Sequence, residues 1–181
     1  MNDNIPDSPT YSKQVLELLA VAHEYCKTLE NHIPNDKEKL MEILQKLAPL
    51  MYLRGSLLPD IEVNNPDANE RFVTEEQWEH LFNSLRETFG DSDLFWTFDP
   101  LNYAAEDARK MSLAEALADI YQDMKDFVLL YQRNSRDAKE NAAYSIKSLF
   151  PLHWGQLLLM VITAIHNTLY QHYQPDNDYL Y

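Results

Sequence analysis

Apolar side chains recur along this chain at the three- and four-residue steps of an amphipathic helix. The first series comprises Val15, Leu18, Leu19, Ala22, Cys26 and Leu29. This spacing places all six on one side of a helix, where they can be buried together. We therefore predict a first helix over about residues 9–32, because Ser8 and Pro9 suit a helix start and Pro34 opposes its continuation.

Capping residues divide the rest of the chain into five further helices. Their start signals are Asn35 or Asp36, the pairs Thr74–Gln77 and Ser112–Glu115, Ser135, and Pro151. Pro49 predicts a kink or break in the second helix, and Gly90 suits the residue after the third. Residues 91–111 have no clear period and are expected to form a loop, and no strand pattern is apparent. We predict an all-α bundle of five to seven helices.

The predicted helices are expected to share one core, because a chain of 181 residues has the size of a single domain. We assign residues 1–181 to one domain, with an ordered core over about 9–172 and short loose tails. The sixth helix is expected to be central, because it is apolar around most of its circumference. Its apolar run falls short of the ~20 residues of a membrane span, so we expect no membrane association.

Charge and composition exclude several classes of function. The chain has 15 Lys and Arg against 29 Asp and Glu, a net charge of −14, which opposes binding to nucleic acid or anionic lipid. Three glycines cannot form a phosphate-binding loop or a dinucleotide fingerprint. The single cysteine, Cys26, excludes an intrachain disulfide and a cysteine-rich zinc site. The N-terminal sequence does not resemble a signal peptide, so we expect a cytoplasmic location.

Acidic residues follow one side of the predicted fourth helix. Glu115, Asp119 and Asp126 share a strip, and Asp123 lies nearer the core edge. Carboxylates four residues apart can share a divalent cation, so Glu115, Asp119 and Asp123 are candidate metal ligands. The alternative is that the strip is a solvated face. No Glu-x-x-His pair of the kind found in di-metal bundles is present.

Histidines of the predicted sixth helix are the candidate catalytic groups. His153 and His166 lie at its two ends and on different sides. Either could meet Asp119 or Asp123 across a helix interface, where a carboxylate would raise the pKa of the imidazole. Such a pair could transfer protons, or it could simply join two helices.

Aromatic residues suggest a binding surface. Phe95, Trp96 and Phe98 lie in the unpatterned stretch, and they either pack across the bundle or anchor a partner. Trp154 is a further candidate binding residue. The chain has 11 tyrosines, many of them in its second half, and tyrosine is enriched at interfaces.

Three segments resemble a known family. They are LAPLMYLRGSLLP at 47–59, LADIYQDMKDF at 117–127, and HWGQ at 153–156 followed by Ala164, Ile165 and His166. Together they are similar to an uncharacterised bacterial family, domain-of-unknown-function family 5063, over about residues 12–170. The resemblance implies an all-helical bacterial cytoplasmic domain and supplies no activity. The family pattern has a second histidine after the Trp-Gly pair, where this chain has Gln156.

Two functional hypotheses follow. The first is a small acidic interaction module without a cofactor, expected to be a homodimer, which acts by binding another protein. The second is a metal-dependent hydrolase of a nucleotide or phosphoester, with a divalent metal on the fourth helix and His153 or His166 as the proton carrier. The sequence leaves open whether the protein is an enzyme.

Overall fold

The computed structural model describes residues 8–97 and 108–171. These ranges form six α-helices and one two-stranded sheet. The elements are α1 Lys13–Glu30, α2 Lys37–Ser56, α3 Glu75–Phe89, β1 Leu94–Thr97, β2 Arg109–Ser112, α4 Leu113–Tyr131, α5 Arg136–Leu152 and α6 Trp154–Tyr170. The predicted all-α bundle of five to seven helices is confirmed. The predicted loose tails fall mainly on residues 1–7 and 172–181, which lie outside the described ranges.

Most of the helices begin where the capping residues predict. Asp36, Thr74, Ser112 and Ser135 each accept a hydrogen bond from the backbone N–H of the third helical residue. The first helix differs, because residues 9–11 form a short 3-10 turn and Ser12 caps α1 instead of Ser8. Local side-chain chemistry therefore sets the helix starts to within a few residues.

Helix α4 occupies the centre of the bundle. The sequence had predicted that α6 would be the central helix. It packs against α1, α3, α5 and α6, whereas α6 packs against α2, α4 and α5. The outer side of α6 stays at the surface, and the side chain of Leu159 on it is 47% exposed. The apolar circumference of α6 thus covers both a core face and an outer face.

Two glycines allow α2, α5 and α6 to approach closely. A Cβ atom on Gly55 of α2 would overlap the rings of Trp154 and Phe150, and one on Gly155 would overlap the backbone oxygen of Phe150. The indole N–H of Trp154 donates to the backbone oxygen of Ile146 at 2.8 Å, which satisfies its polar atom in the core. The segments 47–59 and 153–156 therefore interlock as one packing unit.

Prolines lie inside two helices without ending them where the sequence predicts. Helix α2 continues through Pro49 to Ser56, and α5 includes Pro151, so the break before α6 falls at His153. Helices α5 and α6 meet there at 55°. Within the described ranges no single helix is long and apolar enough to cross a membrane, and α5 with α6 meets that test only as a bent pair.

A short antiparallel hairpin replaces part of the loop predicted over residues 91–111. Leu94 of β1 pairs with Ser112 of β2, and Thr97 pairs with Arg109. Asp93 anchors the base of the hairpin, because its buried carboxylate accepts hydrogen bonds from the Ser112 hydroxyl and from the N–H of Ala114. The expectation that the chain has no strand is therefore wrong for these eight residues.

Candidate functional site

The carboxylates of Asp119, Asp123 and Asp126, which we call the acidic strip, are each held by a different neighbour. Asp119 accepts a hydrogen bond from the Trp78 indole at 3.0 Å, and Asp123 lies 2.7 Å from His153 Nδ1. Asp126 accepts from two consecutive backbone N–H groups of residues 72 and 73, at 2.7 and 2.9 Å. Of the strip predicted as either a metal site or a solvated face, Asp119 and Asp126 are partly buried and join α4 to other parts of the fold, whereas Glu115 is exposed.

His153 forms a polar contact with Asp123 of α4. It sits in the break between α5 and α6, with φ −139° and ψ −92°. Its side chain is 43% exposed, and that of its partner Asp123 is 12% exposed. The hydrogen bond to Asp123 raises the pKa of His153 above its ordinary value of 6.5, while partial burial and nearby Arg71 oppose that rise. The contact proposed from the sequence is present for His153 and Asp123, and its role stays a prediction.

Asp119 has a different electrostatic environment. Partial burial raises its pKa, and the hydrogen bond from Trp78 offsets only part of that rise. Asp119 and Glu115 line a cavity of about 240 Å³ together with Arg109 and Lys110. Glu115 itself is exposed at the start of α4.

Two of the three candidate metal ligands are engaged by protein groups. Asp119 is bound by Trp78 and Asp123 by His153, and Glu115 is exposed. Across residues 8–97 and 108–171 no group of three or more His, Cys, Asp or Glu side chains is arranged to hold a metal ion. The geometry therefore gives the metal-dependent hydrolase hypothesis no support.

His166 lies apart from the acidic strip. It is exposed near the end of α6, where its ring centre is 4.8 Å from that of Tyr170. It lies 13 positions after His153, which corresponds to about 20 Å along a helix. The two candidate catalytic histidines therefore do not share a site.

The aromatic candidates divide between core and surface. Trp154 is fully buried, so the prediction that it binds a partner at the surface is wrong. Phe95 is partly buried against the core, whereas Trp96 is 66% exposed. Phe98 lies outside the described residues. The difference along the hairpin arises because successive strand residues point to opposite faces.

A groove of about 520 Å³ runs between β1 and the outer side of α6. Among residues 8–97 and 108–171 no charged side chain lines it, although the chain carries a net charge of −14. The lining residues are Phe95, Trp96, Thr97, Gln156, Leu159, Met160, Thr163, Ala164, Asn167, Thr168 and Gln171. The ammonium group of Lys110 lies 5.6 Å from the centre of the Trp96 ring, at the rim. We call this the β1–α6 groove.

Two further arrangements were not predicted from the sequence. The buried carboxylate of Glu140 binds Arg136 at 2.7 Å and the Asn64 side-chain amide at 2.8 Å. The four-residue spacing of Arg136 and Glu140 is a local signal for that pair. The other is a hydrogen bond between His32 and Ser84, which are 52 positions apart, and no local pattern indicates it.

Cys26 has the inert character expected of a core thiol. It is buried on the inner side of α1. Burial raises the pKa of its thiol to about 12, and the charge of Glu30 also acts to raise it. A thiol with this pKa is protonated at neutral pH and is a poor nucleophile.

These features define the chain as an acidic all-helical domain with an uncharged surface groove. The model of the family described as a domain of unknown function, DUF5063, matches residues 9–171, and the chain belongs to this family. The crystal structure of protein BF1032 from Bacteroides fragilis is similar, with a TM-score of 0.77 and 29% identity. The similarity covers 93% of this chain and 98% of that one. Among curated proteins, none matches the chain.

Proposed function

We propose that this domain is an interaction module that binds another protein in the β1–α6 groove. The observation that carries the proposal is the exposure of Trp96 beside Leu159, at 66% and 47%, in a groove whose described lining residues are all uncharged. Tryptophan is among the residues that contribute most binding energy at protein interfaces. The centres of interfaces are also depleted of charge, as this groove is.

The side chains that line the groove indicate which chemical groups its partner would carry. Apolar walls from Trp96, Leu159 and Met160 would receive one or two apolar anchor side chains. The amides of Gln156 and Asn167 would bind backbone groups of the same segment. Lys110 at the rim favours an acidic residue next to the anchor. The partner is therefore a protein segment with apolar anchors and an acidic flank, and we place the interaction in the cytoplasm.

Site-specific photocrosslinking tests this proposal. A photoreactive residue in place of Leu159 should give a defined crosslinked protein in a lysate of the source cells, and Trp96→Ser should remove it. The matched control is the same residue in place of Tyr144, which is 49% exposed on α5 and does not line the groove. Equal products at both positions, or no product at Leu159, would contradict the proposal.

Sedimentation equilibrium of the purified chain distinguishes a different protein from a second copy. A monomer over the micromolar range is expected if the groove serves another protein. A dimer that dissociates on Trp96→Ser would instead assign the groove to a homodimer and overturn the proposed partner.

A further inference from the structure

His32 and Ser84 form a hydrogen-bonded pair on the side of the bundle formed by α1, α3 and α4. His32 follows the end of α1, and Ser84 lies on α3. His32 Nε2 is 3.1 Å from Ser84 Oγ, and His32 Nδ1 is 2.6 Å from the backbone oxygen of Leu29. The imidazole therefore bridges a serine hydroxyl and a carbonyl group.

The carbonyl oxygen determines the protonation of the ring. A carbonyl only accepts hydrogen bonds, so His32 Nδ1 must carry the proton that it receives. In the neutral imidazole, Nε2 is then the acceptor, and the hydroxyl of Ser84 donates to it. This is the order of groups in serine acyl transfer: a hydroxyl nucleophile, a base within hydrogen-bond distance, and a third group that orients the base.

The pair opens into a cavity of about 230 Å³. Leu29 and Leu81 form its apolar part, and Gln77 contributes an amide. The Gln77 oxygen accepts from the backbone N–H of Thr74 at the start of α3, about two helical turns from Ser84. The volume is below the roughly 300 Å³ of pockets for drug-sized ligands, so it suits a short acyl group.

The lining of the cavity also includes His80 and an acidic group that is ion-paired. The carboxylate of Glu30 lines it and accepts hydrogen bonds from Tyr121 and Lys125, at 2.8 and 2.7 Å. Burial acts to raise the pKa of Glu30, but the hydrogen bonds from Lys125 and Tyr121 outweigh it and lower the pKa. Glu30 is therefore ionised at neutral pH, in a chain with a net charge of −14.

We propose that Ser84 and His32 form an acyl-transfer site for neutral esters of short carboxylic acids. In the first step, Ser84 Oγ forms a bond to the ester carbonyl carbon and its proton passes to His32 Nε2. The bond from that carbon to the alcohol oxygen then breaks, and the alcohol takes the proton from Nε2. Water next attacks the acyl-serine, gives one proton to Nε2 and releases the acid, and Nε2 returns the proton to Ser84. The sum is ester plus water giving acid plus alcohol.

The test uses p-nitrophenyl acetate on the purified full chain. We expect a rapid release of about one p-nitrophenol per chain, and one acetyl group on Ser84 when the quenched protein is mapped by mass spectrometry. Ser84→Ala should abolish this adduct. His32→Gln should slow acetylation of Ser84 by about 10²–10⁴-fold, the range for loss of a general base. Ser56→Ala and His23→Gln remove an exposed serine and an exposed histidine elsewhere, and they should acetylate Ser84 as the unchanged chain does.

Two results would overturn the proposal. One is acetylation of surface side chains only, with Ser84 unmodified in the unchanged, folded chain; the pair would then only join the α1–α2 loop to α3. The other is an unchanged rate of Ser84 acetylation in His32→Gln, which would remove the base from the mechanism. Mapping on the unchanged chain decides the matter even if Ser84→Ala fails to fold. The assay uses the purified chain without a partner protein, so its outcome is separate from that of the tests on the β1–α6 groove.

Discussion

The acidic strip of α4 and the β1–α6 groove differ in how their side chains are satisfied. Each of the three carboxylates has a hydrogen-bonding partner from another part of the fold. In the groove, Trp96 and Leu159 are 66% and 47% exposed, and none of the lining residues that the structure describes is charged. The comparison teaches that carboxylates concentrated on one helix can serve to hold the fold together. An uncharged surface with exposed apolar side chains is the better candidate for binding.

The largest expected effect is a loss of stability when a tryptophan of the core is removed, in contrast to the exposed Trp96 of the groove. Trp154→Ala should lower the free energy of unfolding by about 3–5 kcal/mol, because it leaves a cavity beside Gly55 and Phe150. Urea denaturation followed by circular dichroism measures this loss. A loss below about 1 kcal/mol would show that Trp154 does not hold α2, α5 and α6 together.

Removal of one carboxylate tests whether the acidic strip is structural. Asp126→Ala should cost about 1–3 kcal/mol, because the N–H groups of residues 72 and 73 lose their acceptor. The same urea titration applies, with Glu115→Ala as the control. Glu115 is exposed, and its loss should change stability by less than about 0.5 kcal/mol. If both variants change the free energy of unfolding equally, Asp126 stabilises the fold no more than an ordinary surface residue does.

The His153–Asp123 contact should make stability depend on pH. The folded pKa of His153 is raised above 6.5, so its contribution is complete below about pH 6.5 and is lost as pH rises through the folded pKa. His153→Gln should therefore be less stable than the unchanged chain at about pH 6, and the gap should narrow above that pH. Because His153 is 43% exposed, solvent screening limits the gap to about 1 kcal/mol.

Unfolding measured across this pH range with Asp123→Asn provides the control for that dependence. Removal of the Asp123 carboxylate should abolish the same pH-dependent contribution to the free energy of unfolding that His153→Gln abolishes. A gap between the unchanged chain and His153→Gln that stays constant or widens with rising pH would contradict the assigned contact.

The smallest effect on stability is expected in the groove. Trp96→Ser should change the free energy of unfolding by less than about 1 kcal/mol, because the ring is 66% exposed and its contact with Lys110 is a weak surface interaction. Thermal unfolding measures it directly. A loss as large as that for Trp154→Ala would mean that Trp96 packs in the core and leaves no binding surface.

Features that depend on neighbouring residues were predictable. The caps at Asp36, Thr74 and Ser135 act within one helical turn, and they were found from the sequence. The hairpin was missed, because strands of four residues carry little period and their pairing joins residues on either side of 98–107. The break at His153 also differs from the predicted start at Pro151, since a proline can be tolerated in the last turn of a helix when its neighbours pack.

The candidate site was predicted in part. A contact between a histidine of the last helix and an acid of the fourth was weighed from the sequence, and His153 with Asp123 forms it. The partners of Asp119 and Asp126 were not foreseen, because Trp78 and residues 72–73 are more than 40 positions away. These contacts could not be predicted because the partners are far apart along the chain, although the hydrogen bonds themselves are ordinary ones.

Helical periodicity, capping residues and net charge establish by themselves an acidic all-α domain, because these signals are local or summed over the chain. The resemblance to its family rests on three sequence segments. Only the tertiary structure decides which tryptophan is core and which is surface, and which carboxylates already have partners. It also decides that Ser84 meets His32. Those outcomes depend on how helices distant in sequence pack together. The free energy of that packing comes from contacts between segments, so no single segment determines it.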